Sequence, residues 1–405
     1  MTGSHKQLDA FREEVRAFLL EHSPKSLRGT SPSGVFDGYW GGKKHPDVDP
    51  DVLRWRDVMF ERGWTQPQWP KEYGGAGLSK EHTRVIWEEV RALGLPRPVV
   101  GFGFAMIGPT LLQFGNEEQK REHLTKICKG EIRWCQGYSE PGAGSDLANV
   151  QMKAERDGDD FILNGQKIWT SHADKSDWIF CLVRTDPKAK KQEGITFILV
   201  DMETKGVTPR RIELISGASP FCEVFFEDVR VPGKNVVSDL NKGWTVAKAL
   251  LGHERSMIGQ SIGRQPGSGQ RELVAKARKH LHAAEGPLPD PILRDAIARN
   301  AMDEAAFNLT LTRVAQSTAA GKTPGSESSI SKIVATEIKQ ARYELGMQIA
   351  SASGLGWDGV GFDEEDLVFT REWLRSRANT IEGGSSEIQL NIIAKQVLGL
   401  PDGNR

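Results

Sequence analysis

The sequence predicts an α+β protein: an N-terminal α-helical domain over 1–130, a central antiparallel β domain over 131–240, and a C-terminal domain like a four-helix bundle over 241–405. Three observations lead there. Apolar residues recur at helical spacing at both ends of the 405-residue chain, and strand-type runs are confined to its middle. Those runs follow one another instead of alternating with helices, which argues against a doubly wound sheet.

At the start, Leu8, Phe11, Val15, Phe18 and Leu19 share one stripe with charges between them, the pattern of an amphipathic helix with one buried face. A Gly/Pro-rich stretch from about Arg28 to Asp51 reads as an irregular insertion. Helical patterning resumes over 52–62, 79–93 and 116–129. From about 131 the period changes. Residues 161–163, Asn164-Gly165 and 166–169 read as strand, two-residue turn and strand, because Asn-Gly supplies the positive φ values that tight hairpins need. Residues 178–184, 195–202 and 223–231 are further β-rich runs. After Pro232 the helices return, and Ile330, Ile333, Val334, Ile338, Ala341 and Leu345 keep one face over several turns, as in a bundle. The last helix is predicted to start at Ser385 or Ser386 and to stop near Gly399, with Pro401 preventing continuation.

The 53 basic and 54 acidic side chains nearly cancel, so no global field recruits nucleic acid or an anionic membrane. Any anionic ligand must be held by local chemistry. Four cysteines without CxxC spacing predict a reducing compartment and no structural zinc. Charges interrupt the apolar positions of the first 25 residues, so no signal-peptide core is expected there, and no run is long enough to span a bilayer. A cytoplasmic protein without membrane insertion follows.

Several strings match motifs whose context is wrong. Residues 354–359 satisfy G-x-G-x-x-G but follow a long helix, and read as a helix–helix loop. Residues 259–263 match the nucleophile-elbow string inside a helical pattern. Gly321-Lys322-Thr323 lacks the earlier P-loop glycine, since Gln316 stands there. His280 and His282 have no partner cluster for a metal, so no metal site is expected.

The string YSEPGAGSD at 138–146 is more specific. Its proline and glycines make an irregular loop whose backbone N–H groups can converge on an anion, and Ser139 and Ser145 add hydroxyl donors. About twenty residues on, NGQKIWTS at 164–171 brings a large aromatic, Trp169, and a hydroxyl suited to a planar cofactor and its edge. With WPKEYGG at 69–75 and Glu387-Ile388-Gln389, these stretches stand in the order and spacing of the acyl-CoA dehydrogenase family, which the chain resembles over nearly its whole length.

That resemblance implies FAD between the β domain and the C-terminal helices. Gln136, Tyr138 and Ser139 would lie along the flavin, with Gly144 and Ser145 near the pyrophosphate and the bound thioester. Trp169 would lie against the isoalloxazine, and Ser171 would stand where a hydroxyl bonds flavin N5. Gln348 looks like the residue that reaches FAD from a neighbouring subunit, and Ser385 and Glu387 occupy further cofactor positions. The implied reaction is α,β-dehydrogenation of an acyl-CoA to the trans-2-enoyl-CoA, with electrons passed to an electron-transfer flavoprotein. An oxygen-using acyl-CoA oxidase or flavin monooxygenase, and a noncatalytic subunit, stay open as alternatives.

The family's usual catalytic glutamate aligns with Gly383, one residue past Glu382. One residue moves a side chain about 100° around a helix. The resemblance therefore favours Glu254, in GHERS at 252–256, where a branch similar to isovaleryl- and long-chain acyl-CoA dehydrogenases carries its base on a helix. Arg255 matches the family's arginine beside the substrate, and His253 a CoA-side or structural position. The Gly383 N–H is left to bond the thioester oxygen. Without the resemblance, Glu254-Arg255 is an ordinary pair on a solvated helix face.

One departure stands out. His282 and Glu285 occupy the places of arginine and phenylalanine in the family's Arg-x-x-Phe-Gly, whose arginine reaches the FAD pyrophosphate across a subunit interface. Losing that fixed charge points from a homotetramer towards a heterotetramer with a related subunit that supplies it, as in family members acting on bulky acyl groups such as steroid side chains.

Overall fold

A computed structural model describes residues 2–30, 38–44, 47–262, 268–319 and 327–401, with side chains over 6–30, 38–44, 47–252, 269–317 and 329–401. The chain forms two compact units: residues 1–212 with 220–254, and residues 213–219 with 255–405.

The first unit opens with α1 (Thr2–His22), α2 (Pro50–Glu61), α3 (Lys80–Ala92), α4 (Gly108–Phe114) and α5 (Glu117–Cys128). The predicted stripe of α1 is buried at Val15 and Leu19, which pack with Trp55, Met59 and Ile86 of α2 and α3. Each start is chemically marked. Asp49 caps α2 with Pro50 in its first turn, Ser79 caps α3, and Asn116 and Gln119 form a reciprocal capping box on α5. Between Arg28 and Asp49 the described residues contain no helix or strand, as an irregular insertion requires.

Seven strands follow: β1 (Trp134–Gly137), β2 (Lys153–Asp157), β3 (Asp160–Ser171), β4 (Trp178–Arg184), β5 (Ile195–Asp201), β6 (Val207–Ile212) and β7 (Phe221–Pro232). Their order is β1-β4-β2-β3-β7-β6, with β5 on β4. Most pairs are antiparallel, but β1 runs parallel to β4, and β2 meets β4 in parallel. Leu163, Ile179, Ile198, Val200 and Val224 fill the core beneath the sheet. All four cysteines are buried and free.

The Asn164-Gly165 hairpin is not formed. β3 passes through both residues without turning, and the turn falls instead at Gly158, φ 65°, between β2 and β3. Asn-Gly marks a register shift against β7: Gly165 takes φ 143° beside Met152, and the Asn164 side chain exchanges hydrogen bonds with Asp228 at 2.9 and 3.0 Å. The same freedom that makes a tight turn also makes a bulge, and the long-range pairing with β7 selected the bulge.

Helix α6 (Gly243–Ile262) runs from the first unit into the second, which continues with α7 (Ser268–His280), α8 (Pro291–Ala319), α9 (Glu327–Ala350), α10 (Glu364–Ser376) and α11 (Ser386–Ile392). Packed against α7, α8, α10 and α11, α9 is central. Its predicted apolar face is only partly buried. Ile333 is inside, whereas Ile330 is 37% exposed, and Val334, Ile338 and Ala341 line a groove of about 470 Å³ shared with α8. The buried side also carries Lys332, Thr336 and Arg342. Ser385 caps α11 as predicted, accepting from Ile388 N at 3.4 Å, and the helical run ends before Gly399, φ 64°.

Residues 351–363 connect helices α9 and α10, with no strand before the G-x-G-x-x-G string. Residues 259–262 are helical, while Gly263 and 321–323 lie outside the described residues. Among the described residues no helix is long and apolar enough to cross a membrane, and no three His, Cys, Asp or Glu side chains cluster to hold a metal.

Candidate functional site

The loop at 138–146 is held by charge. Glu140 and Ala143 exchange backbone hydrogen bonds at 3.0 Å, closing its turn. The Glu140 carboxylate accepts from Gln151 N at 2.6 Å and Met152 N at 3.0 Å, and from the fully buried Lys167 Nζ at 2.7 Å. Lys167 also donates to the carbonyls of Tyr138 (3.2 Å) and Leu182 (2.6 Å), so its three protons are used. Burial pulls the Lys167 ammonium towards neutrality and the Glu140 charge opposes that. With every polar atom satisfied, the ion pair is retained.

This pair joins the two sequence motifs. Lys167 lies in the second and Glu140 in the first, and Ile168 N donates to Ser139 O at 2.9 Å beside them. Neither Glu140 nor Lys167 was among the predicted site residues. The available signal was a lysine on the inward face of an apolar strand, which must find an acid. Arg184 extends the support, donating to the carbonyls of Ala148 and Val150 at 2.8 and 3.1 Å in the turn after the loop.

Gly142 and Gly144 do not adopt left-handed φ, and a Cβ built on either meets nothing within 4 Å. Their lack of a side chain therefore serves access: the space over the loop backbone is open. Ser145 is exposed beside them, Gln136 and Ser139 are half-buried, and the Tyr138 ring is buried edge-on to Phe180 and Phe197. Trp169 has φ 59° and is 54% exposed, its ring touching Phe221 edge-on at 6.1 Å. Ser171 ends β3 and pairs with Phe221 of β7. An open glycine loop tied to an exposed flat aromatic fits a flavin with a phosphate tail.

The insertion grips the segment that follows. Trp40 is edge-on to His172 at 5.1 Å and to Phe102 at 5.4 Å, with the Arg133 guanidinium over its ring at 4.6 Å. A Cβ on Gly101 would lie 2.6 Å from that ring. Lys43 N donates to the Asp177 carboxylate at 3.3 Å and Lys44 Nζ to Ser176 O at 3.0 Å. Residues 172–177, directly after Trp169 and Ser171, are thus held from the N-terminal side of the chain. A cavity of about 460 Å³ lies at this grip; its described lining includes Trp40, Arg133 and His172 but no residue of the 138–146 loop.

In the second unit, Gly383 and Gly384 take φ 64° and 91°, and the Gly383 carbonyl accepts from Gln389 Nε2 at 3.3 Å. A glutamate at 383 would be strained in that conformation, so glycine there suits the backbone as well as an opening. Glu382 is committed locally, accepting from Arg375 Nη2 at 2.7 Å and Asn379 Nδ2 at 2.5 Å. Glu387 is exposed in the first turn of α11, its carboxyl held below the usual range by its own backbone N–H and by Ser385. Gln348 is exposed on α9. His282, φ 52°, follows α7, where Arg278 donates to Gly286 O at 2.8 Å; Glu285 is exposed. The backbone of His253, Glu254 and Arg255 is helical, and their side chains lie outside the described residues.

Residues 5–131, 135–229 and 241–398 match the N-terminal, middle and C-terminal domains of acyl-CoA dehydrogenases. Over 400 residues the chain is 36% identical to acyl-CoA dehydrogenase IpdE1 of Mycobacterium tuberculosis (strain ATCC 25618 / H37Rv), covering 98% of each. Identity to IpdE1 of Mycolicibacterium smegmatis is 34%, again over 98% of each. Among solved structures, the Tcur3481-Tcur3483 steroid ACAD superposes with TM-score 0.74 at 30% identity, covering 98% of both chains. The ChsE4-ChsE5 complex of Mycobacterium tuberculosis gives 0.71 at 28%, again with 98% of both covered.

Proposed function

The chain belongs to the acyl-CoA dehydrogenase family, an oxidoreductase family, and from that premise we propose that it binds FAD and converts a bulky acyl-CoA to its trans-2-enoyl-CoA. The observation that carries the cofactor reading is the open loop at Gly142 and Gly144, tied through Glu140 and Lys167 to the strand that exposes Trp169. FAD, when bound, would supply the acceptor for the hydride that leaves the β carbon. The chain's own residues do the rest. Gly144, Ser145 and the loop N–H groups hold the cofactor's anionic part. Gln136, Tyr138, Ser139, Trp169 and Ser171 border its ring, and Ser385, Glu387 and a neighbouring subunit's Gln348 complete the cofactor contacts.

Glu254 removes the α proton, with Arg255 and His253 on the substrate side. The Gly383 N–H polarises the thioester carbonyl, whose α proton is otherwise too weakly acidic. The local commitment of Glu382 to Arg375 and Asn379 supports this choice of base. The steroid ACAD similarity supports a ring-bearing or branched acyl group. An electron-transfer flavoprotein takes the electrons. The missing Arg-x-x-Phe-Gly and the two-protein names of the similar structures support a heterotetramer with a related subunit.

Glu254→Gln tests the mechanism. Turnover of acyl-CoA thioesters should fall by about 10²–10⁴-fold with flavin retained. Unchanged turnover in E254Q, with loss in E382Q, would move the base to Glu382. Peroxide released in air at the rate of substrate oxidation would favour an oxidase.

A further inference from the structure

Lys332 is 7% exposed on the inward side of α9, and its ammonium has no hydrogen-bond partner among the described residues. Lys167 shows what a settled buried lysine looks like in this protein, with one carboxylate and two carbonyls at 2.6–3.2 Å. Lys332 has none of these. An unpaired buried ammonium costs several kcal/mol, so it weakens the unit that carries it unless something uses the charge.

The turn packed against α9 offers such a use. Helix α9 contacts both residues 377–380 and α11, and two more buried atoms there are without partners: Asn379 Oδ1 and Gln389 Oε1. Burial pulls the Lys332 ammonium towards neutrality, and the charges of Glu382 and Glu387, which bracket Gly383, Gly384 and Ser385, oppose that. Glycines at φ 64° and 91° leave this turn little intrinsic preference for one shape. Attraction from a fixed buried charge would supply one.

We propose that Lys332 is a positioning residue, its buried charge drawing Glu382 and Glu387 towards α9 and so fixing the turn that presents Gly383, Ser385 and Glu387 to cofactor and thioester. This rests on the reading that the turn borders the flavin site. It also explains why a costly charge is kept inside the bundle: stability is exchanged for a defined turn.

Lys332→Met removes the charge and keeps the volume. In the full chain, with any co-purifying partner subunit, the flavin-free K332M protein should melt no lower than the native protein. Amide exchange over 380–390 should speed up, and flavin affinity should fall about tenfold, near 1.4 kcal/mol. K332R should restore both. A lowered melting temperature makes Lys332 an ordinary part of the fold, and unchanged exchange over 380–390 means its charge does not act on the turn; either result overturns the proposal. Should the native chain bind no flavin, the functional reading fails by itself, while melting and exchange still decide the role of Lys332.

Discussion

His123 shows how one side chain sets a pH limit. It is buried on α5 with its ring edge-on to those of Trp134 and Trp178, centroids 5.1 and 4.7 Å away, and its Nδ1 has no partner among the described residues. Burial pushes it from the ordinary 6.5 down to about 4. Above 6.5 the imidazole is neutral folded or unfolded. As pH falls below that, only the unfolded chain takes the proton, so stability is lost between about 6.5 and 4, approaching about 3 kcal/mol. His123→Phe keeps a ring against the tryptophans without a titrating group. Urea unfolding at pH 7 and pH 4.5 should show a smaller drop for H123F than for the native chain. At the same scale, one position separates Glu382 from Gly383. The family resemblance implied the offset, but only the folded structure commits Glu382 to Arg375 and Asn379.

At the scale of elements, the 138–146 loop and β3 act as one object because Glu140 and Lys167 are buried together. Lys167→Met strands a carboxylate in the core and should cost about 3–5 kcal/mol, read as a lowered melting temperature with loss of bound flavin. The E140Q/K167M pair should be less destabilised than K167M alone, since no unpaired charge remains. Both motifs were legible because glycine, proline and aromatic spacing is local. Their tie was not, since Glu140 and Lys167 are 27 positions apart and chemically unremarkable alone. The grip of Trp40 on His172 was equally hidden: the insertion could be recognised as irregular, but its partner lies in another part of the chain. The Asn164-Gly165 bulge makes the same point, because local propensity permits two outcomes and pairing chooses one.

At the scale of the molecule, the two units differ in surface. Leu309, Leu355, Val360 and Ile381 of the second unit are all at least 70% exposed, a concentration of apolar surface suited to subunit contacts. Together with the absent Arg-x-x-Phe-Gly, this leads to a prediction about assembly. Purified alone, the chain should hold well under one FAD per subunit. Co-expressed with a related subunit that carries the motif, it should form a flavin-loaded heterotetramer, read by light scattering and the flavin-to-protein ratio. A stable homotetramer of this chain with one FAD per subunit would remove the need for the partner.

The sequence by itself determined the order of helices and strands, the start of the last helix at Ser385, the family and the two glycine- and tryptophan-bearing motifs. Periodicity, capping and turn chemistry act within a few residues and are written there. The tertiary structure alone decided which face of α9 turns inward, that Asn164-Gly165 bends a strand instead of closing a hairpin, and that Lys167 meets Glu140. Those outcomes depend on groups distant in the chain that compete for the same burial, and only the packed fold settles that competition.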